Sequence, residues 1–321
     1  MNPIIECVPN FSEGRRPEVI EAIATAIAGR PEDGGPADTA GQGVRILHVD
    51  RGEAANRTVI TFAGTPDAVC EAAFRGVREA ARLIDMRTHH GTHPRLGATD
   101  VLPLVPVQGI SLEECAVLAR NLAGRIWREL GIPCYCYGAA AASPERSELS
   151  WCRKGEYEAL ATKLASPVLR PDFGPDALTD SIARTGAINV GARPFLIAVN
   201  FNLRPDGEAQ LPAAKAIARR MRGPGRKAIG WYIPEYGCAQ VSMNLTDTKL
   251  APLHEVYERV CREAEAEGCR ISGTEIIGLV PRQVLLDAGN SSLEAAISRL
   301  HLDDLRPFLP EEKVLEYLLP I

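Results

Sequence analysis

Three of the six histidines fall in one short stretch, His89, His90 and His93, within the segment HHGTHPRLGATD at 89–100. Gly91 and Pro94 forbid a regular helix there, so the histidines sit on a loop. A metal site is one chemistry such a cluster can support, because imidazole is the commonest protein ligand. The spacing argues against it: there is no HExxH pair on a helix and no cysteine partner nearby. Two readings stay open. The histidines are hydrogen-bonded loop residues, or one of them moves protons near neutral pH, where its reference pKa of ~6.5 suits the task. Pro94 restricts His93 to extended backbone and fixes it better than its neighbours.

Two other polar clusters could serve the same site. In ECVPNFSEG, at 6–14, Asn10 and Ser12 stand where a strand gives way to a helix. They cap that helix, or Asn10 and nearby backbone N–H groups bind an anion. Asp50 ends one strand, and Asn56 and Arg57 open the next. That is an ordinary polar turn, or a carboxylate that orients an imidazole beside a guanidinium that holds a carboxylate. No GxGxxG, GxxxxGK[ST] or GxSxG pattern occurs, so phosphate-loop and serine-elbow chemistry have no sequence support.

The elements that must position these residues are legible from periodicity. Ile4–Val8 reads as a strand, and Asn10–Arg16 as a polar turn. A helix opens at Pro17, with Val19, Ile20, Ile23 and Ile27 on one face, and closes at Gly29. Residues 30–43 are rich in Gly, Pro and Asp and read as a surface loop. Val44–Asp50 and Arg57–Ala63 are strands, Pro66–Ile84 a helix, and Thr99–Val107 a strand. Ser111 and Glu114 form a capping box that opens a helix ending at Gly131, and Pro133–Tyr137 follows as a strand. The order β-α-β-β-α-β recurs from Phe195 to Leu279. It predicts an α/β (α+β) protein of two ferredoxin-like subdomains, 1–184 and 185–321, with facing sheets and helices outside. A ligand cleft between the sheets is the natural consequence.

Composition narrows the class. The 321 residues carry a net charge of −5, with 5% aromatics. That disfavours a nucleic-acid binder, which needs surplus Lys and Arg and stacking rings. Nine cysteines, an odd number with no CxxC pair, read as reduced thiols of a cytoplasmic protein. The N-terminus shows no basic-then-apolar leader. No stretch approaches the ~20 apolar residues of a membrane span.

Taken in order, ECVPNFSEG, NRTV at 56–59, RLIDM at 82–86, HHGTHPRLGATD, KGEYEAL at 154–160, PDFGP at 171–175, GARPFLIAVN at 191–200, GWYIPE at 230–235, AQVSMNLTD at 239–247 and GLVP at 278–281 resemble glutamate formimidoyltransferase. The resemblance implies transfer of a formimidoyl group from N-formimidoyl-glutamate to tetrahydrofolate, a step of histidine breakdown. It implies His93 as catalytic base and a folate segment from Gly174-Pro175 towards Gly186. Asp50, Asn56 and Arg57 match polar positions that line the site in the family, with Asp50 expected to act catalytically by orienting the imidazole; by residue type, Asn10, Arg95 and Arg193 are further expected ligand-binding residues. It also implies tetrahydrofolate as co-substrate, no metal, a homodimer, and no nucleic-acid or membrane partner. The chain ends near EYLLP, where bifunctional relatives continue into a cyclodeaminase domain, so a monofunctional form working with a separate cyclodeaminase is expected. The segment 174–186 has no aromatic residue to stack on a pterin. The alternatives are formyl transfer from 5-formyl-tetrahydrofolate to glutamate by the same base, a non-catalytic folate- or RNA-binding module, or a metal-dependent hydrolase.

Overall fold

A computed structural model describes residues 2–29, 43–205 and 207–319. Residues 30–42 of the expected surface insertion lie outside that set. The chain divides into two compact units, Met1–Arg193 and Pro194–Ile321.

The first unit is built from β1 (Ile4–Cys7), β2 (Asn10–Phe11), α1 (Pro17–Ala28), β3 (Arg45–Gly52), β4 (Arg57–Gly64), α2 (Pro66–Leu83) and β5 (Thr99–Gln108). β1 and β2 are one strand interrupted at Val8-Pro9. Glu6 faces Ala63 and Asn10 faces Val59 on β4, so the register runs through the interruption. What reads in sequence as a polar turn after Pro9 is thus a continuation of the sheet. The antiparallel order β3-β4-β1/β2-β5 is that of a split β-α-β-β-α-β unit. Ile5, Cys7 and Phe11 alternate onto the face that packs against Val19, Ile23 and Ile27 of α1 and Val69, Ala73 and Val77 of α2.

Two further strands, reached through a helix, widen this sheet. The Ser111/Glu114 capping box closes as expected, with Ser111 Oγ accepting from Glu114 N at 3.1 Å, and opens α3 (Leu112–Leu130). β6 (Cys134–Gly138) and β7 (Ile188–Ala192) then add in parallel, in the order β5-β7-β6. β7 corrects the expected boundary at 184/185. Ile188–Ala192 pairs with both β5 and β6, so it belongs to the first sheet, and the division falls at 193/194. Between β6 and β7 lie four short helices: α4 (Pro144–Ser147), α5 (Leu149–Cys152), α6 (Leu160–Ala165) and α7 (Asp180–Thr185). Their apolar side chains, with Val101, Tyr135 and Tyr137, form a second small cluster on the sheet face away from α1 and α2.

The second unit repeats the pattern: β8 (Ile197–Arg204), α8 (Leu211–Met221), β9 (Arg226–Ile233), β10 (Cys238–Leu245), α9 (Leu253–Ala266) and β11 (Arg270–Ile277), in the sheet order β11-β8-β10-β9, followed by four short helices at Arg282–Ala288, Leu293–Arg299, Pro310–Lys313 and Leu315–Leu318. Val199, Phe201 and Leu203 turn into the helical core, while Asn200 and Asn202 take the other face. There Trp231 Nε1 donates to Gln240 at 2.9 Å and Gln240 Nε2 donates to Asn202 at 2.6 Å. This polar ladder was visible in sequence only as the alternation VNFNL. All nine cysteines are free thiols. Among the described residues no helix is long and apolar enough to cross a membrane.

Candidate active site

The histidine loop, 89–93, is fastened to the β3–β4 turn. Asn56 adopts a left-handed φ of +46°, which Asn tolerates better than most residues. Its side chain braces two segments: Oδ1 accepts from Gly14 N at 3.0 Å and Nδ2 donates to His90 O at 2.9 Å. Thr92 N donates to Ala54 O at 3.1 Å. Gly91 lies so close to this turn that a Cβ added there would stand 2.2 Å from Ala55 O. Gly91→Ala therefore has to push the loop outward. A shift of that kind is expected to lower kcat ~10²-fold with the unit still folded, measured as steady-state rate beside a thermal melt.

The three histidines separate in role. His89 is buried, and its Nε2 lies 3.0 Å from Asn56 O, an internal tie. Burial holds its pKa below the ordinary value. His90 is exposed, its carbonyl taken by Asn56. His93 is half-buried, with Nδ1 2.7 Å from Pro94 O. A carbonyl only accepts, so Nδ1 carries the hydrogen and Nε2 holds the basic lone pair. Burial, then the charges of Arg57 and Arg153, hold the His93 pKa well below its ordinary value, against a smaller opposing pull from Asp100. His93 is therefore neutral at physiological pH.

Beneath it lies a group that the sequence did not single out. Asp100 is fully buried at the start of β5. Its Oδ2 accepts from Arg57 at 2.6 Å and from Arg153 at 2.7 Å, and its Oδ1 accepts from Leu96 N at 2.9 Å. Burial alone would raise its pKa; Arg153 and then Arg57 outweigh that and keep it below the usual carboxylate range. Burial brings Arg57 down to about 10, still charged at neutral pH. Two guanidiniums around one carboxylate leave one surplus positive charge. Arg153 Nε is, in addition, a buried donor with no hydrogen-bond partner among the described residues.

The remaining expected residues divide. Asn10 is in the cluster: its Oδ1 accepts from Arg57 Nε at 2.9 Å, and its Nδ2 donates to Val8 O. Neither Asn10 nor Ser12 caps α1. Ser12 Oγ donates to Gly97 O, and Glu13 instead accepts from the N–H groups of Arg15 and Arg16 at the helix entrance. Asp50 stands 3.5 Å from His48 Nε2, and the charge of Asp100 acts on His93. Arg95 is committed to Glu158, at 2.7 Å, and to Glu156, with its guanidinium over Tyr157. Its Nε, like that of Arg153, is a buried donor with no hydrogen-bond partner among the described residues. Gly186 sits where backbones crowd, a Cβ there standing 2.3 Å from Leu96 O, and Gly174 sits against proline rings, a Cβ there standing 2.6 Å from Pro171 Cγ. Gly186 thereby ties the 174–186 segment to the strand-like bridge at Gly97, three residues before Asp100. Pro175 is half-buried beside it. Arg193 donates to the Tyr137 hydroxyl and acts on Glu6 through its charge. Among the described residues no three His, Cys, Asp or Glu side chains converge to hold a metal.

Residues 4–193 match the formiminotransferase domain, N-terminal subdomain, and residues 197–320 match the formiminotransferase domain. The chain belongs to the formiminotransferase family. Glutamate formimidoyltransferase of Thermoplasma acidophilum is 39% identical over 91% of this chain and 92% of its own length. The Streptococcus pyogenes protein of the same name is 38% identical over 92% and 94%. The formimidoyltransferase-cyclodeaminase of Sus scrofa is 43% identical over the whole chain, which spans 60% of that relative's length. The two matched segments meet between 193 and 197, where the structure itself divides. Asp100 and Arg153 are the functional candidates that sequence reasoning missed in this family member. Asp100 lay inside the histidine segment, but its partners are 43 and 53 residues away.

Proposed function

We propose that the chain transfers a formimidoyl group from N-formimidoyl-L-glutamate to N5 of tetrahydrofolate, with His93 moving the proton. The supporting observation is the 2.7 Å contact of His93 Nδ1 with Pro94 O, which assigns the hydrogen to Nδ1, beside the doubly braced Asp100. N5–H of tetrahydrofolate attacks the amidine carbon. The N5–carbon bond forms, and Nε2 takes the N5 proton. When the carbon–nitrogen bond to glutamate breaks, the imidazolium returns that proton to the departing amine. The products are 5-formimidoyl-tetrahydrofolate and glutamate, with no proton gained or lost. The surplus positive charge of Arg57 and Arg153 suits a glutamate carboxylate, and Asp100 keeps the two guanidiniums fixed while the imidazole becomes transiently cationic.

The two related enzymes of about the same length, named glutamate formimidoyltransferase, support this donor. Tetrahydrofolate with N-formimidoyl-glutamate is expected to give the 5-formimidoyl product, followed by ultraviolet absorbance. 5-Formyl-tetrahydrofolate with glutamate is expected to give little. Turnover only with the formyl donor would transfer the assignment to folate salvage.

A further inference from the structure

Glu6 is a carboxyl group that the chemistry above does not use. It is 1% exposed in the middle of β1, and its Oε2 has no hydrogen-bond partner among the described residues. Its neighbours Ile5 and Cys7 turn into the helical core, so Glu6 points to the opposite face of the sheet. That is the face of Asn10, because Glu6 and Asn10 share one register against β4. Across β5, Arg193 donates to the Tyr137 hydroxyl and acts on Glu6 through its charge. On β4, Thr61, on the same face as Ala63 opposite Glu6, also has a buried hydroxyl without a partner among the described residues. A buried carboxylate oxygen left without a donor costs stability, and structural carboxylates are normally satisfied. An unpartnered Glu6 Oε2 and an unpartnered Thr61 hydroxyl on one face among the described residues, with the charge of Arg193 acting there, suit a ligand that brings N–H groups.

We infer that Glu6, with Arg193 and Tyr137 beside it, forms the subsite that grips the 2-amino-lactam edge of the pterin. This rests on the reading that tetrahydrofolate is the acceptor. That edge presents two parallel N–H donors, the geometry that a carboxylate accepts bidentately. The donor substrate's amidine offers similar N–H groups, but its carbon must lie within reach of His93. His93 belongs to the Asn10–Arg57–Asp100 end of the sheet: Arg57 is bonded to Asn10 and Asp100, and its Nη1 reaches Pro94 O. Glu6 is four residues from Asn10 along one extended register, roughly 13 Å. A rigid bicyclic ring with a hydrogen bond of ~2.9 Å at each end fills a gap of that order, with N5 towards His93 and the 2-amino edge towards Glu6. Burial raises the Glu6 pKa to about 7 against the pull of Arg193, so the carboxyl is poised to gain from two N–H donors.

The test is the affinity of purified protein for tetrahydrofolate and for its 2-desamino analogue, by fluorescence titration, in wild type and Glu6→Gln. Wild type is expected to bind the analogue about 10- to 100-fold more weakly than tetrahydrofolate. Glu6→Gln is expected to lose a similar factor for tetrahydrofolate and to stop distinguishing the two, with KM for N-formimidoyl-glutamate unchanged. Equal wild-type affinity for both pterins overturns the assignment without any variant, so a poorly folding Glu6→Gln protein does not rescue it. A Glu6→Gln defect confined to the formimidoyl donor also overturns it and moves the carboxylate to the amidine. Failure of wild type to bind tetrahydrofolate at all would instead remove the acceptor assignment on which this one stands.

Discussion

His93→Ala is expected to lower kcat by ~10²–10⁴-fold while leaving the dissociation constant for tetrahydrofolate within about twofold of wild type. The first figure is the usual contribution of a positioned acid–base group. The second follows because the groups assigned to hold the ligands are on β1, β4, β5 and after α5, not on the imidazole. The pH profile supplies a second readout. A pKa held below ~6.5 means that Nε2 keeps its lone pair into mildly acidic solution. The acid limb of kcat/KM in wild type is therefore expected below pH 6.5. Arg153→Met removes one of the two cations that depress the pKa and should move that limb upward. The linkage sign agrees. The unfolded chain protonates His93 near pH 6.5 and the folded chain does so only at lower pH, so wild-type stability falls as pH drops through that window. His93→Ala should flatten this part of the stability curve. Near-normal turnover by a folded His93→Ala protein would end the assignment of His93.

Asp100→Asn is expected to carry a large structural penalty in the first unit. It leaves Arg57 and Arg153 buried side by side without the carboxylate that both address. Breaking a buried charge arrangement by removing one partner costs about 3–5 kcal/mol. For a unit of this size each kcal/mol corresponds to ~2–4 °C in Tm, so a fall of roughly 6–20 °C follows. The amide can still accept from Leu96 N, which keeps the local backbone in place. Adding Arg153→Met removes one of the stranded cations and should return part of the loss. A positive coupling in that double-mutant cycle, read from urea melts, is the signature of the triad. Additive losses would mean that the two arginines are held by other contacts.

The residues around this triad show where sequence reasoning reaches and where it stops. The amphipathic helices α1, α2, α3, α8 and α9, the Ser111 capping box and the strands between them were all legible. Their signals are local: a period, a cap, a glycine at the exit. β7 was not legible. Ile188–Ala192 is a five-residue run buried on both faces, and periodicity cannot assign such a run. Its parallel pairing with β5 and β6 moved the unit boundary nine residues beyond the expected 184, to 193. Arg95 looked as available as Arg57 from its type and place. Only folding showed Glu156 and Glu158 claiming the one and Asp100 the other.

By itself the sequence determined the order of elements, the histidine loop with proline behind His93, and the family to which the chain belongs. Each of these is carried by residues adjacent in the chain or spaced by a helical or strand period. Tertiary structure alone decided the charge state and company of those residues: a neutral His93, an Asp100 shared by two arginines, and a Glu6 Oε2 without a donor among the described residues. These depend on burial and on pairs tens of residues apart. A pKa responds to the distance and dielectric between groups, which the chain acquires only when it folds.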